Sequence, residues 1–457
     1  MNSKRPALLV TTLGAFLVPF MGSSVNIALP SIGKEFAMDA VLLSWVTISY
    51  LLSGAIFLVP FGRMADIRGR KKTFLLGFVI YTIASLFCGI ATSPLLLISF
   101  RILTGVGASM TASTGMAMLI SIYPPGERGK VLGINVAAVY SGLSCGPFFG
   151  GLLTQYFGWR SIFLINIPLG LLIIVFTLWK LKGEWIEAKG EKFDLIGSTL
   201  FSFALVALMY GFSTLPGLWG ICFVVLSGFG FFAFVKWEMR TPSPIFEMDL
   251  FSKNRVFAFS NLAALINYSA TFAVSFFMSL YLQFIQGHTP QEAGMVLVSQ
   301  PMIQAIFSPL AGRLSDRIEP RIIASTGMAL TAIGLFFFIF MDQETTITFI
   351  IGSLILLGLG FALFSSPNTN AVMSSVEKKF YGVASGTLGT MRATGMMLSM
   401  GMAMMIFAIF IGRAQITPAS YPLFMKSMKV AFAISTGLCV AGIFASLSRG
   451  KVRRVQP

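Results

Sequence analysis

The stretch GRMADIRGRKK at residues 62–72 occurs in a second, altered form, GRLSDRIEPR, at residues 312–321. The two copies share Gly, Arg and Asp at an offset of 250 residues, so Asp66 matches Asp316. Each copy follows an apolar run and combines a glycine for a sharp turn, one or more acids and several bases. The repetition predicts that the chain consists of two similar halves.

The composition places most of the chain in a lipid bilayer. Of its 457 residues, 56% are hydrophobic and 11% are charged, which excludes an ordinary water-soluble globule. A helix needs about 20 apolar residues to cross a bilayer core of about 30 Å. The first apolar run lacks a small-residue cleavage signal, so we interpret it as a membrane helix and not as a signal peptide. Fourteen runs, numbered α1 to α14, lie at residues 7–31, 42–61, 73–92, 95–121, 130–153, 161–180, 195–213, 217–235, 256–284, 291–312, 321–341, 345–368, 381–411 and 427–448.

The repeat divides these runs into two sets of six. The first copy follows α2 and the second follows α10, so α1–α6 and α9–α14 are equivalent halves and α7 and α8 are an inserted hairpin. We therefore predict an all-α integral membrane protein. Its units are an N-terminal bundle at 1–180, cytoplasmic linkers with the inserted helices at 181–255, and a C-terminal bundle with a short basic tail at 256–457.

The distribution of basic residues predicts the orientation. With both termini assigned to the cytoplasm, the inner segments hold 26 of the 33 Lys and Arg, the outer loops hold five and the runs hold two. This is the asymmetry of the positive-inside rule. We expect a multi-pass plasma-membrane protein whose cytoplasmic face attracts anionic lipid. No basic segment is interleaved with stacking aromatic residues, so we expect no nucleic-acid partner.

Residues suited to catalysis or metal binding are scarce. The four cysteines are isolated in apolar runs without CxxC spacing, and His288 is the single histidine. The GxSxG match at 142–146 lies in a predicted membrane helix, whereas a nucleophile elbow needs a strand, a turn and a nearby histidine. No GxxxxGK[ST] phosphate loop occurs. We expect no enzyme activity, no cofactor and no metal, and any active transport must use a gradient or another subunit.

Four stretches carry a family resemblance: GRMADIRGRKK after α2, RILTGVGAS from Arg101, SGLSCGPFFGG in α5, and GWRSIFLINIPLG at 158–170. With these motifs the chain resembles the major facilitator superfamily, and within it the fourteen-helix branch of drug:proton antiporters. The resemblance implies two bundles that rock around a central cavity. It also implies a monomeric transporter of the multidrug-efflux type, which exports amphipathic small molecules by proton antiport.

The repeated loop is a candidate conformational latch, formed by Gly62, Asp66, Arg70 and Asp316. The alternative is that its bases only set the membrane topology. An acid at the same place in both halves favours the latch.

A second candidate switch lies in α5. Gly142, Gly146 and Gly150 are spaced four apart and form one bare stripe where a neighbouring backbone can approach closely. Pro147 removes an N–H and bends the helix there. We predict a movable contact between the two halves, against the alternative of ordinary small-residue packing.

Polar residues inside the runs predict the lining of the path, because each is costly in lipid unless it faces a cavity or a partner. For any single amide, a hydrogen bond between helices without substrate contact is the alternative. Arg101 needs partners, which carbonyls near Pro147 or a tyrosine can supply. The predicted lining residues are Asn26, Tyr50, Arg101, Tyr140, Asn261, Asn267, Gln300, Gln304 and Arg392. Apolar lining is expected from the adaptable methionines of α13, which are Met391, Met396, Met397, Met400, Met402, Met404 and Met405.

One departure from the resembling exporters changes the expected cargo. They carry an Asp in the first helix where Met21 stands here, and all 17 acids of this chain fall outside the helix interiors. Two arginines without buried acids suit neutral or anionic amphipaths. For proton coupling, the nearest candidates are Asp39 and Glu292 at the outer ends of α2 and α10, where an inward-facing state is expected to shield them and so desolvate them.

We therefore predict a secondary transporter that exports amphipathic compounds. The alternatives are a facilitator or uptake carrier for an organic anion, and a membrane sensor or scaffold that transports nothing. A sensor is expected to carry a sizeable soluble output domain, and no long polar segment is present.

Overall fold

The computed structural model describes residues 4–188, 193–241, 244–246, 248–377 and 381–450. Within these ranges it contains fourteen helices that are long and apolar enough to span a membrane, which confirms the predicted number. They are α1 Lys4–Glu35, α2 Ala40–Arg68, α3 Arg70–Gly89, α4 Pro94–Ile122, α5 Gly133–Phe157, α6 Arg160–Lys180, α7 Leu195–Thr214, α8 Leu218–Glu238, α9 Arg255–Ile285, α10 Pro290–Ser315, α11 Pro320–Ile339, α12 Ile347–Ser374, α13 Tyr381–Phe410 and α14 Pro418–Ser448.

The helices extend beyond the apolar runs because polar residues cap them at the membrane edge. Asp39 accepts a hydrogen bond from Leu42 N at the start of α2, and Asn254 accepts one from Phe257 N at the start of α9. Thr289 and Glu292 form a capping box at the start of α10. Such caps satisfy amide groups that have no partner within the helix. The α5 helix begins before its apolar part, at Pro125.

The two six-helix sets pack in the same way. α1 packs on α5 as α9 packs on α13, and α2 packs on α4 as α10 packs on α12. Glycines bring the backbones together at matching places. A Cβ on Gly107 would lie 2.7 Å from the Gly77 carbonyl oxygen between α3 and α4, and one on Gly327 would lie 2.6 Å from the Gly360 carbonyl oxygen between α11 and α12. Both bundles therefore hold an outer helix through direct backbone contact.

α7 and α8 pack on each other, and α7 also contacts α2 and α13. The hairpin thus lies beside one of the two places where the halves meet. The unit boundaries 1–180, 181–255 and 256–457 stay a prediction. Because the number of spans is even, the start of α1 and the end of α14 lie on one side, here named the basic side; the other is named the opposite side.

Candidate transport path

The two halves contact each other directly at the opposite side. The loop between α1 and α2 meets the loop between α13 and α14, and the outer part of α9 meets α1. In each contact a nitrogen or hydroxyl group donates to a backbone carbonyl of the other half, at 2.6–3.1 Å: Ala40 N to Ala414, Gln415 Nε2 to Ala37, Ser279 Oγ to Asn26 and Gln283 Nε2 to Ile27. These bonds close the opposite side.

α5 and α10 complete this closure. A Cβ on Gly151 would lie 2.5 Å from the Pro290 carbonyl oxygen, and one on Gly294 would collide with the Pro147 carbonyl oxygen. The backbones of the two halves therefore touch where α10 begins. Pro147, predicted as part of a movable contact, lies at this boundary.

The glycine stripe of α5 faces elsewhere, and the prediction that it joins the two halves is wrong. A Cβ on Gly142 would collide with the Phe16 carbonyl, and one on Gly150 would lie 2.8 Å from Ser24 Cα. Gly146 also faces α1, and its carbonyl accepts a hydrogen bond from Ser24 Oγ at 2.9 Å. Residues four apart share one face of a helix, and this face packs on α1 of the same half. The face carrying Pro147 and Gly151 reaches the other half.

Midway through the spans, five helices bring polar side chains to one cluster, here named the central cluster. It consists of Tyr140 (α5), Tyr268 (α9), Gln304 (α10), Ser365 and Thr369 (α12), and Arg392 (α13). The Tyr140 hydroxyl lies 2.7 Å from Ser365 Oγ and joins the halves. Arg392 Nη2 donates to Thr369 Oγ1 at 2.5 Å and its guanidinium lies 5.7 Å from the Tyr268 ring centre.

Several polar atoms around the central cluster have no hydrogen-bond partner among the described residues. They are Arg392 Nε in the cluster and both side-chain heteroatoms of Asn267, which precedes Tyr268 in α9. Asn261 donates to the Phe257 carbonyl at 2.9 Å, and its Oδ1 has no such partner. Gln300 is half-buried, and its backbone carbonyl packs against Gly358. The predicted lining residues of the C-terminal half thus offer unused hydrogen-bonding groups. Their unused N–H donors outnumber the two unused acceptor oxygens, which are those of Asn261 and Asn267.

Arg101 and Tyr50 lie apart from this cluster, inside the N-terminal half. Arg101 is fully buried, its Nε donates to the Val46 carbonyl at 3.0 Å, and its guanidinium lies 4.4 Å from the Tyr50 ring centre. Of the two expected sources of partners, the tyrosine is correct and the carbonyls near Pro147 are not. Asn26 lies on α1 and its Oδ1 accepts a 3.3 Å hydrogen bond from Thr47.

Met21 is fully buried between α1 and α3. Its sulfur accepts hydrogen bonds from the Tyr81 hydroxyl at 3.3 Å and from Ser85 Oγ at 3.9 Å. Met21 therefore occupies a polar position in the N-terminal half. Of the α13 methionines, Met397, Met400 and Met404 are buried in the apolar core.

The two candidate proton groups cap helices at the opposite side. Asp39 is half-buried and accepts from Leu42 N at 2.7 Å. The Glu292 side chain is 53% exposed although the opposite side is closed, and it accepts from Thr289 N at 2.9 Å. The expected shielding of Glu292 is therefore not found, because its side chain belongs to the exposed capping box at the start of α10.

On the basic side, Asp66 and Arg70 form an ion pair of 2.7 Å in the repeated loop. Arg70 also donates to the Ala117 carbonyl at 3.1 Å and to Ser121 Oγ, and it pairs with Glu187 at 3.4 Å. Gly62 lies on α2 and faces α4, and a Cβ on Gly62 would lie 3.5 Å from Ser113 Cβ. The Asp316 side chain lies outside the described part of the chain.

Sequence reasoning missed the acids of the linker between α6 and α7. Glu184 accepts from Lys71 N at 2.7 Å and Lys72 N at 3.2 Å, so it caps α3. Glu187 accepts from Ser121 Oγ at 3.0 Å. The available signal was a pair of acids three apart in a loop that follows six spans.

It also missed buried charges at helix ends. Arg449, just after α14, is fully buried and bonds Ser260, Asn368 and the Pro320 carbonyl at 2.9–3.2 Å. Glu238 is buried at the end of α8. Among the described residues, no group of three or more His, Cys, Asp or Glu could hold a metal ion.

Comparison with known proteins agrees with this architecture. A family model of the Major Facilitator Superfamily matches residues 11–237 and 260–456. The riboflavin transporter RibZ of Clostridioides difficile is 28% identical over 98% of both chains. The multidrug resistance protein Stp of Mycobacterium tuberculosis is 32% identical over 85% of this chain and 73% of its own.

Among solved structures, the chain is similar to a bacterial homologue of the human lysosomal transporter Spinster, captured in an inward-facing and unoccupied conformation. The TM-score is 0.71 at 16% identity, and the match covers 99% of both chains. In this chain the two six-helix sets meet where α1, α2 and α5 of one half contact α9, α10 and α13 of the other. The TM-score shows that the solved structure and this chain share one fold. The chain therefore belongs to the Major Facilitator Superfamily of membrane transporters.

Proposed function

We propose that this chain exports neutral or anionic amphipathic small molecules across the plasma membrane, in exchange for protons, with the basic side in the cytoplasm. The observation that carries the proposal is the central cluster. It holds one cation, Arg392, and none of the chain's 17 acids lies in the middle of a span. A cationic drug would find no carboxylate there to pair with.

The chemistry of the central cluster selects its ligand. Arg392 Nε is an unused donor, the Gln304 amide lies beside the Tyr140 hydroxyl, and a guanidinium offers the strongest donors to a carboxylate, sulfonate or carbonyl oxygen. Tyr140 and Tyr268 supply aromatic surface beside them. Aromatic surface next to donors favours a flat amphipath with acceptor oxygens at one end.

Movement of the halves accounts for passage. The contacts at the opposite side use short hydrogen bonds and backbone packing without ion pairs between the halves among the described residues. Such contacts can break and reform at modest cost. In the alternate state these contacts separate, and the ligand leaves from the central cluster on the opposite side.

The test is flux in proteoliposomes with three fluorescent probes: fluorescein as an anion, riboflavin as an uncharged amphipath and ethidium as a permanent cation. We expect fluorescein and riboflavin to move at least tenfold faster than ethidium. Arg392→Gln is expected to slow fluorescein more than riboflavin, whereas Arg255→Gln, an exposed arginine on the basic side, leaves all three unchanged. Ethidium flux equal to that of fluorescein, and unaltered by Arg392→Gln, contradicts the proposed cargo.

Proton exchange is tested separately by imposing a pH gradient on the same vesicles. We expect flux to rise with an inward proton gradient. Asp39→Asn and Glu292→Gln examine whether either cap carries the proton, and loss of the gradient response in one variant would identify it. If wild-type flux does not change with the pH gradient, the second candidate function is supported, which is a facilitator or uptake carrier for an organic anion. We keep this candidate because one relative, similar along nearly the whole chain, is named a riboflavin transporter without reference to export.

A further inference from the structure

Arg101 is a buried cation without a matching anion. It is fully buried in the N-terminal half, and its guanidinium is enclosed by the rings of Tyr50 at 4.4 Å and Phe163 at 5.9 Å. Nε donates to the Val46 carbonyl at 3.0 Å. Nη1 and Nη2 have no hydrogen-bond partner among the described residues.

The charge cannot be removed by loss of a proton, because a guanidinium stays protonated in proteins. No ion pair of the described residues includes Arg101, and the titratable side chains that act on it are Cys88, Tyr50 and Tyr81, which are neutral at physiological pH. A buried charge without a counter-charge is among the most costly features of a folded protein. Aromatic rings offset only a part of this cost.

The surroundings of Arg101 can hold a small anion. The Tyr81 hydroxyl and Ser85 Oγ, both fully buried, donate to the thioether of Met21, which is a weak acceptor. Ser85 Oγ also donates to the Tyr81 carbonyl at 2.7 Å, whereas the Tyr81 hydroxyl makes only long contacts among the described residues, to Met21 at 3.3 Å and to Asn166 Oδ1 at 3.5 Å. The Tyr81 proton can therefore turn to a better acceptor. Arg101 is fully buried, and aromatic rings flank its guanidinium, Tyr50 at 4.4 Å and Phe163 at 5.9 Å. A monatomic ion fits this setting better than a bulky organic acid.

We propose that Arg101 binds a small inorganic anion, chloride under cellular conditions, through Nη1 and Nη2 with the Tyr81 hydroxyl. The anion neutralises the N-terminal half and is distinct from the transported cargo, which the central cluster binds. The site lies within one half, so the ion remains bound while the halves move. Removing chloride therefore lowers the stability of the N-terminal half even in the absence of cargo.

The test measures thermal stability and radioactive chloride binding of the purified full-length chain in detergent without cargo. Potassium chloride replaces potassium gluconate at constant ionic strength. We expect a saturable rise in Tm and one bound chloride per chain, with bromide and nitrate replacing chloride. Arg101→Gln is expected to raise the half-saturating chloride concentration at least tenfold. Arg392→Gln, which removes the arginine of the central cluster, is expected to leave that concentration unchanged.

A charge placed beside the site gives a second test that does not depend on folding of Arg101→Gln. Met21→Glu should supply an internal anion and abolish the chloride response, whereas Met21→Gln, of the same size and without charge, retains it. Three results overturn the proposal: no chloride response in the wild type, a wild-type response in Met21→Glu, or loss of the response in Arg392→Gln alone. If benzoate replaces chloride, the anion is an organic acid, and the inorganic assignment is wrong. Probe flux does not enter this test, so its outcome is independent of the proposed cargo.

Discussion

Gly294 in α10 lies against the backbone carbonyl of Pro147 in α5, so closely that a Cβ on Gly294 would collide with that oxygen. Each half contributes one of these residues. The closure of the opposite side therefore requires that Gly294 carry no side chain, and adding a single methyl group there tests this requirement.

Gly294→Ala is expected to keep the opposite side open and to reduce transport at least tenfold, because the methyl group holds α5 and α10 apart. The measurement is the reactivity of cysteines placed near Ser279, in a background without Cys88, Cys145, Cys222 and Cys439, towards a reagent added on the opposite side. Gly352→Ala is the control, because a Cβ there meets nothing within 4 Å.

Gly146→Ala separates packing from switching. Its methyl group collides with Ser23 of the same half, so we expect a lower Tm, with overpacking costing about 1–3 kcal/mol, and unchanged cysteine reactivity. A change of accessibility in Gly146→Ala with none in Gly294→Ala would assign the movable contact to the stripe after all.

Asp66→Asn is expected to abolish transport while membrane expression stays normal. Asn keeps the shape of the side chain but weakens its hold on Arg70, which also contacts Glu187 of the linker. Asp249→Asn is the matched control, because Asp249 forms an ion pair with Lys253 in which both side chains are 74% exposed. Normal transport by Asp66→Asn would reduce this loop to a topology signal.

Tyr140→Phe removes a hydroxyl that joins the halves through Ser365. A hydrogen bond contributes about 0.5–1.5 kcal/mol, so the balance between states is expected to shift by about two- to tenfold. Fluorescence of a reporter on α12 follows this balance, with Tyr156→Phe, an exposed tyrosine, as the control. A double-mutant cycle with Ser365→Ala isolates the pair, and additive effects would mean that the bond does not couple the halves.

Arg449→Gln is expected to lower the free energy of unfolding by about 1–3 kcal/mol, because Ser260 and Asn368 lose a buried partner. Burial lowers the pKa of Arg449 to about 10, and the group still carries its charge at neutral pH. Denaturation followed by tryptophan fluorescence measures the loss, and Arg413→Gln, an exposed arginine, is the control. Equal stability of the two variants would show that Arg449 is replaceable.

The number of helices was predictable because a bilayer imposes a minimum apolar length on every span. The rotation of each helix about its own axis, which decides the face that contacts its neighbours, was not predictable. In a soluble protein a polar stripe marks the outer face, whereas lipid and protein interior are both apolar, so α5 gave no indication that its glycines face α1.

The residues that line the candidate path were also predicted only in part. An Asn, Gln or Arg inside a span signals a buried polar site, and Tyr140, Gln304 and Arg392 do lie together. Arg101 was found by the same signal but lies inside one half. Arg449 and Glu187 escaped notice because a charge at a helix end or in a loop is normally solvated, and only the three-dimensional contacts reveal their partners.

The backbone contacts of Gly107 with α3 and of Gly327 with α12 have a mechanical consequence. Close-packed backbones resist compression and shear, so each half acts as a stiff lever whose shape is fixed. The compliance of the molecule is then concentrated at a fulcrum formed by α5 with α10 and α2 with α13. A small rotation about this fulcrum would therefore move the loops at the ends of the spans further than it moves Arg392, since a rigid helix extends about 1.5 Å per residue.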